Sequence, residues 1–494
     1  MPDTPTDLAR RLERFRAGHG DPGSPDGPLP HRRITAAELA ERLATTLDGE
    51  VVETRTGRFV RIEGRATDLP VDRVRLAGLP GHPPSDRPLV CLDTETTGLA
   101  TATGTVAFLI GLGWWDGPAF RQVQLVLPDH GEEPALLDEL ARHLPPDGWL
   151  VTYNGRGFDW PLLVTRYRLA RRAAPVHDGH LDLLPVVRRV FRHRMDDARL
   201  RTVERTLLGV IRHDDVDGWE IPGRYLGFLR GGPAQPLAAV VRHNDEDVRS
   251  LARLIALLDT GYATADGRRN APAGDLAGLA RAYVRARRPQ EALSCLDEVL
   301  ARGEERGPTA SRSSRPVDSD IATTALPWWS PGARPDFGGH PRPAVHRAIG
   351  WDRRLAAAAP WDPQRIATDR AHLLRRLGRT VDAAEAWRAL TAGPGRTAIV
   401  ASIELAKLQE HRLGRPDLAL RSALHGRELA DRRRHLGMPE PALEADLRSR
   451  LARLRRRAAT TSGRGGRAGR QPLDRVRTIG TRGSCDPVDH PVRT

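Results

Sequence analysis

From residue 88 the apolar residues come in short runs: PLVCLDTET (88–96), TVAFLIGLGWW (105–115), FRQVQLVLP (120–128) and WLVTYN (149–154). Each is short for a buried helix and rich in β-branched or aromatic residues, which predicts strands. Asp116-Gly117, between the second and third runs, marks a turn. EEPALLDELARHL (132–144) has helical periodicity, and FDWPLLVTRYRLAR (158–171) starts a helix with a proline in its first turn. PLAAVVRHNDEDVRSLARLIALL (236–258) reads as a long helix with a buried stripe at 240, 241, 248, 251 and 255. Strand, strand, strand, helix, strand, helix is the order of an α/β fold, a mixed sheet flanked by helices.

The chain has 494 residues, enough for two or three units. Residues 1–30 are rich in Pro, Gly and Asp and read as disordered. A short helix (34–47) and a hairpin (51–64) form a small region over 31–87, ahead of an α/β domain over 88–262. Residues 270–302 and 346–457 read as helical hairpins joined by a Pro/Gly/Ser/Arg-rich linker, 303–345, which holds Trp328 and Trp329. Three helical phrases (279–300, 372–390 and 407–424) each place an alanine after a basic turn: Ala292, Ala383 and Ala419. The last two stand 36 residues apart, near the 34-residue tetratricopeptide period, so the region reads as all-α and TPR-like, with an ordinary bundle as the plainer alternative. Residues 458–494 read as a basic disordered tail.

The net charge of +14 favours nucleic acid as a partner less than its size implies, because Lys407 is the only lysine and the arginines accompany abundant Ala, Gly and Pro. From 451 to 494 there are eleven Arg against three Asp, so this end holds +8 of the +14 and can meet phosphates nonspecifically. The single lysine sits in ELAKLQE, a helical context, which excludes a Walker A phosphate loop. Cys91, Cys295 and Cys485 give neither a disulfide framework nor a CxxC zinc pattern. The N-terminus lacks the apolar core of a secretory signal, and no run is long enough to span a membrane. The cytoplasm is the expected location.

In CLDTETTG (91–98), Asp93 and Glu95 project from one face of a strand. Two adjacent carboxylates repel and lose hydration, a cost that a divalent cation offsets. Asp159 stands at a helix start, where the dipole tolerates an anion, and Asn154 lies five positions earlier. His243 and Asp247 share a helix face at i, i+4. Four carboxylates form an oxygen-rich set suited to Mg²⁺ or Mn²⁺, and two such ions serve phosphodiester hydrolysis, with His243 as a candidate general base.

DTETTG, NGxxFD and HNxxD, in this order, resemble the three motifs of the DEDD (DnaQ-like) 3′→5′ exonucleases. The longer phrases LDTETTGLATATGTVAFLIGLG, LVTYNGRGFDWPLL, HLDLLPVVRRVF and DGWEIPGRYLGFLR are similar to the bacterial YprB-type ribonuclease H-like proteins; the likeness covers about 88–260. The resemblance implies a ribonuclease H-like fold, two metal ions, single-stranded RNA or DNA as substrate, and Asp93, Glu95, Asp159 and Asp247 as ligands. One departure concerns His243: it stands four residues before Asp247, the tyrosine's spacing in one subclass, whereas the histidine subclass places its base five before. Asp245 and Glu246 lie between them and face away on a helix. Asn154 and Asp182 are expected to support the site from behind, an ordinary helix-start role being open for Asp182; Trp219, Glu220 and Tyr225 have no evident chemical role. Two other readings stay open: a weakly active or inactive scaffold whose helical repeats bind a protein, and an endonuclease on structured nucleic acid.

Overall fold

The computed structural model describes residues 34–98, 104–305 and 362–465. The chain divides into two compact units, the first ending at Arg288 and the second beginning at Pro289. The disordered segment read at 1–30, Trp328 and Trp329, and the linker beyond Glu305 lie outside the described residues.

The first unit opens with α1 (Ala36–Leu47), fixed at its start by a Thr35/Glu38 capping box, with Leu39, Ala40, Leu43, Ala44 and Leu47 buried on one face. Then come β1 (Glu50–Thr54), β2 (Gly57–Glu63), the short β3 (Thr67–Asp68) and α2 (Arg73–Ala77). The strands read from the sequence are β4 (Leu89–Thr96), β5 (Ala107–Asp116), β6 (Ala119–Val126) and β7 (Trp149–Thr152), with α3 (Glu133–His143) before β7. After β7 follow α4 (Asp159–Leu169), β8 (Gly179–Asp182), α5 (Leu183–Val190), α6 (Leu200–Val203), α7 (Ile221–Leu229), α8 (Gln235–Tyr262), α9 (Ala265–Arg268) and α10 (Ala273–Arg285).

All eight strands join one mixed sheet in the order β1-β2-β6-β5-β4-β7-β8, with β3 beside β6. β4 runs antiparallel to β5 and parallel to β7, and so sits near the middle of the sheet. This central place explains its apolar first half: Leu89, Val90, Cys91 and Leu92 are all buried. The hairpin at 50–63 does not stand apart from the α/β domain, as the boundary at residue 88 anticipated. β2 pairs with β6 from Val60↔Val126 to Glu63↔Val123, which extends the sheet and places α1 in the same core as α3 and α4.

The second unit is all helical: α11 (Pro289–Glu305), α12 (Pro363–Arg376), α13 (Thr380–Thr391), α14 (Gly395–His411), α15 (Pro416–His435) and α16 (Pro441–Gly465). Ala292, Ala383 and Ala419 are fully buried, where a larger side chain would hold neighbouring helices apart. Two sequence boundaries move. α10, assigned to the helical repeats, belongs to the first unit: a Cβ at Gly278 would lie 2.6 Å from the Arg189 carbonyl of α5, and Asp275 pairs with His193. The tail assigned from 458 is helical as far as Gly465, because α16 continues without a break. Among the described residues no helix is long and apolar enough to cross a membrane.

Candidate active site

The second half of β4 turns polar where the strand emerges from the core. A shift of register against β5 falls between Glu95 and Thr96, a β-bulge of the kind that re-aims side chains at the end of a strand. Asp93 and Glu95 share one face; Thr94 points to the other and donates to Asp159 Oδ1 at 2.5 Å. Asp159 is the first residue of α4 and is buried.

α8 crosses the face that carries Asp93 and Glu95. Its buried Asn244 donates to Asp93 Oδ2 at 2.9 Å and accepts from Gln124 Nε2 at 2.9 Å. Gln124 also binds the Val241 carbonyl at 2.8 Å, and Gln122 binds that of Asp245 at 3.0 Å, so two glutamines of β6 fix the height and rotation of α8. Opposite Asp93 in the ladder is Gly111, where a Cβ would come within 2.3 Å of Asn244 Oδ1. Asp245 and Glu246 turn away from the site to pair with Arg249 and Arg253.

His243 and Asp247 lie on the side of α8 nearest Glu95. His243 Nε2 is 3.9 Å from Glu95 Oε1 and 3.7 Å from Asp247 Oδ2, while Nδ1 is 2.7 Å from Asp215 Oδ1. A carboxylate only accepts, so Asp215 sets the ring proton on Nδ1 and leaves Nε2 as the basic atom on the site side. Asp215 belongs to the connection between α6 and α7, as does Arg212, whose guanidinium pairs with Asp247 and with the fully buried Glu204.

Burial, followed by the charges of Asp247, Asp159 and Glu95, raises the Asp93 carboxyl well above its ordinary range. Glu95 is raised in the same way, with Arg212 as the opposing positive charge. Asp159 is pushed up to about 6, mainly by burial, against the Thr94 hydrogen bond. For Arg212, burial disfavours the charge, but Asp247 and Glu204 outweigh it and its pKa rises. The charges of Asp159 and of Asp247 on α8 thus bear on both carboxylates of β4, and among the described residues Arg212 supplies an opposing positive charge at Glu95.

Among the described residues no three His, Cys, Asp or Glu side chains are gathered tightly enough to hold a metal ion as they stand. The side-chain pairings account for this: Asp93 is drawn to Asn244, Asp159 to Thr94 and Asp247 to Arg212. The donor set itself, all carboxylate oxygen under mutual repulsion, fits a hard divalent cation.

The other sequence candidates divide. Asp182 caps α5 by accepting from Leu184 N at 3.0 Å, and it also accepts from Asn154 N at 2.8 Å and Arg156 N at 3.3 Å. It therefore anchors the loop that delivers Asp159. Asn154 differs from expectation: it is exposed, with φ +70°, and contributes its backbone N–H to Asp182 rather than its side chain to a neighbouring carboxylate. The left-handed conformation suits asparagine and turns the chain out of β7. Asn244, Arg212, Asp215 and Glu204 were missed. Asn244 lay in plain view inside HNxxD; the other three lie in a stretch with no regular period, where spacing carries no signal.

Residues 90–259 match the sequence profile of the RNase_H superfamily, and this segment is a ribonuclease H-like domain. Over 168 residues the chain is 39% identical to the uncharacterized protein YprB of Bacillus subtilis (strain 168). That match spans 34% of this chain and 40% of YprB, so the chain covers well under two thirds of its relative.

Proposed function

We propose that the first unit is a divalent-metal-dependent nuclease, most consistent with a 3′→5′ exonuclease acting on single-stranded RNA or DNA. One observation supports this reading most: the charges of Asp159 and Asp247 both bear on Asp93 and Glu95, beside a histidine whose Nε2 is 3.7 Å from Asp247 and 3.9 Å from Glu95. Asp93, Glu95, Asp159 and Asp247 would hold the ions, Mg²⁺ or Mn²⁺. When bound, two such ions supply an activated water and charge stabilisation for the leaving oxygen. The protein's own groups do the rest. Asn244 and Gln124 lock Asp93 in place, Thr94 orients Asp159, and Asp182 fixes the loop before it. His243 Nε2 accepts a proton from the attacking water, while Asp215 stabilises the imidazolium through Nδ1.

Arg212 holds Asp247 Oδ1 and has to give it up for both oxygens of that residue to serve as ligands. With Glu204 and Asp215 both close by, the guanidinium keeps carboxylate partners after release. The same pairing favours a second reading, a weakly active domain whose main role is assembly through a helical, TPR-like second unit. The test is Mn²⁺-dependent degradation of end-labelled RNA and DNA. Wild type should degrade a single strand, and Asp93→Asn and Asp247→Asn should fall to background with the fold retained. Full activity in both variants overturns the four-carboxylate site; inactivity of wild type on RNA, single-stranded and duplex DNA favours the second reading.

A further inference from the structure

The phrase DGWEIPGRY, which the site above leaves aside, builds an open cleft of about 400 Å³ lined by Trp219, Glu220, Gly223, Arg224, Gly227 and Pro236, with Phe228 among its walls. Trp219 is 75% exposed, and its indole N–H makes a long hydrogen bond to Asp217, at 3.4 Å. Gly223 and Gly227 stand one turn apart on α7. A Cβ at either would meet nothing within 4 Å, so internal packing does not require glycine there. Each glycine inside a helix costs about 1 kcal/mol against alanine. What the pair provides is a bare strip of helix beside an exposed indole, a flat slot open on one side.

The slot is held rigidly. Arg224 binds Glu220 at 2.8 Å and the Pro236 carbonyl at 3.1 Å, tying α7 to the start of α8. Arg42 donates to the Gly232 carbonyl at 2.5 Å and lies 5.5 Å over the Phe228 ring. The slot is also joined to the carboxylate cluster by two routes. Asp215, which holds His243, is four residues from Trp219, a span of at most about 14 Å. On α8, at about 100° per residue, Pro236, His243 and Asp247 fall within roughly 20° of one line, with His243 about 10 Å from Pro236. Arg230, ahead of this line, and Arg242, next to His243 in sequence, are exposed.

We propose that the cleft is a stacking site for one unpaired base of the single strand whose phosphodiester lies at the carboxylate cluster. The proposal rests on the nuclease reading for the strand's position. The indole and the glycine strip sandwich the base, Glu220 and Arg224 offer an acceptor and donors to its edge, and Arg230 and Arg242 attract the flanking phosphates. Every base has a flat face, so the site retains a strand without reading its sequence.

The experiment uses the full chain carrying Asp93→Asn, without divalent cation, and fluorescence anisotropy with labelled oligouridylate, oligothymidylate and an abasic strand of equal length. Trp219→Ala should weaken binding of both base-bearing strands about tenfold or more and leave the abasic strand unchanged, and Trp219→Phe should restore most of the loss. Equal affinity of the Trp219→Ala chain and its parent for base-bearing strands overturns the stacking site and leaves the nuclease reading intact. An equal loss on the abasic strand also overturns it, because the indole would then act on the backbone or the fold. Failure of the parent to bind any strand overturns both.

Discussion

Each unit buries acidic side chains, and the carboxylate cluster at the end of β4 is treated in the opposite way to a buried acid of the helical unit. In the helical unit, Glu410 has a fully buried side chain that accepts from Arg453 at 2.7 and 2.9 Å, from Arg457 at 3.1 Å and from Arg450 at 3.3 Å. Its carboxyl is held below the ordinary range, first by the Arg453 hydrogen bonds. At the site of the sheet unit, Asp93 and Glu95 are raised, and Arg212 opposes the shift at Glu95 without cancelling it. An acid kept for structure is neutralised by its own chain. A cluster left short of positive charge is suited to receive it from outside, from a metal ion.

His243→Ala should lower metal-dependent cleavage by about 10²–10⁴-fold, measured as kcat on a labelled oligonucleotide. A smaller loss removes the histidine from the chemistry. Asp215→Asn should cost about 10–100-fold in kcat with KM little changed, since it acts on the orientation and proton placement of His243. In the helical unit the effect falls on stability alone. Glu410→Ala leaves Arg450, Arg453 and Arg457 facing one another and should destabilise α14 and α16 by about 2 kcal/mol, read by hydrogen exchange, without loss of cleavage.

The smallest effect is the most diagnostic, because its sign differs between the units. Asp159, raised to about 6, keeps its proton in the folded state over a range where the unfolded chain has lost it. Ionisation therefore opposes folding, and local stability at β4 and α4 should fall as pH rises from about 4 through 6, by on the order of 1 kcal/mol per pH unit at most. Glu410 is depressed, so its contribution is present above the ordinary carboxylate range and is lost as pH falls through its lower folded value. Protection factors in β4 and α14, with the intrinsic pH dependence of exchange divided out, should thus respond to pH in opposite directions. Saturating Mn²⁺ should flatten the slope at β4 and leave α14 unchanged; equal slopes with and without Mn²⁺ would remove the need for an external cation.

What could be read from the sequence followed the range over which each signal acts. Asp93, Glu95, Asp159 and Asp247 stand at strand ends and on helix faces whose apolar period marks them within a few residues. Arg212 and Asp215 escaped because they stand in an aperiodic loop and their partners, Asp247 and His243, lie about 30 residues further along the chain. The pairing of β2 with β6 was hidden for a related reason. A hairpin with alternating residues at 50–63 is consistent with a separate ribbon or with one edge of a larger sheet, and nothing local decides between them. Asn154 misled because an asparagine at a turn serves its backbone as readily as its side chain.

Gly111 gives the site an unusual vulnerability. The third acidic motif reaches the first only because α8 rides low enough over β5 for Asn244 to touch Asp93, and that clearance depends on a missing methyl group. Gly111→Ala would remove no acidic residue, yet it would push the helix that carries His243 and Asp247 away from the strand that carries Asp93 and Glu95. The gap between helix and strand, as much as any carboxylate, determines whether the two halves meet.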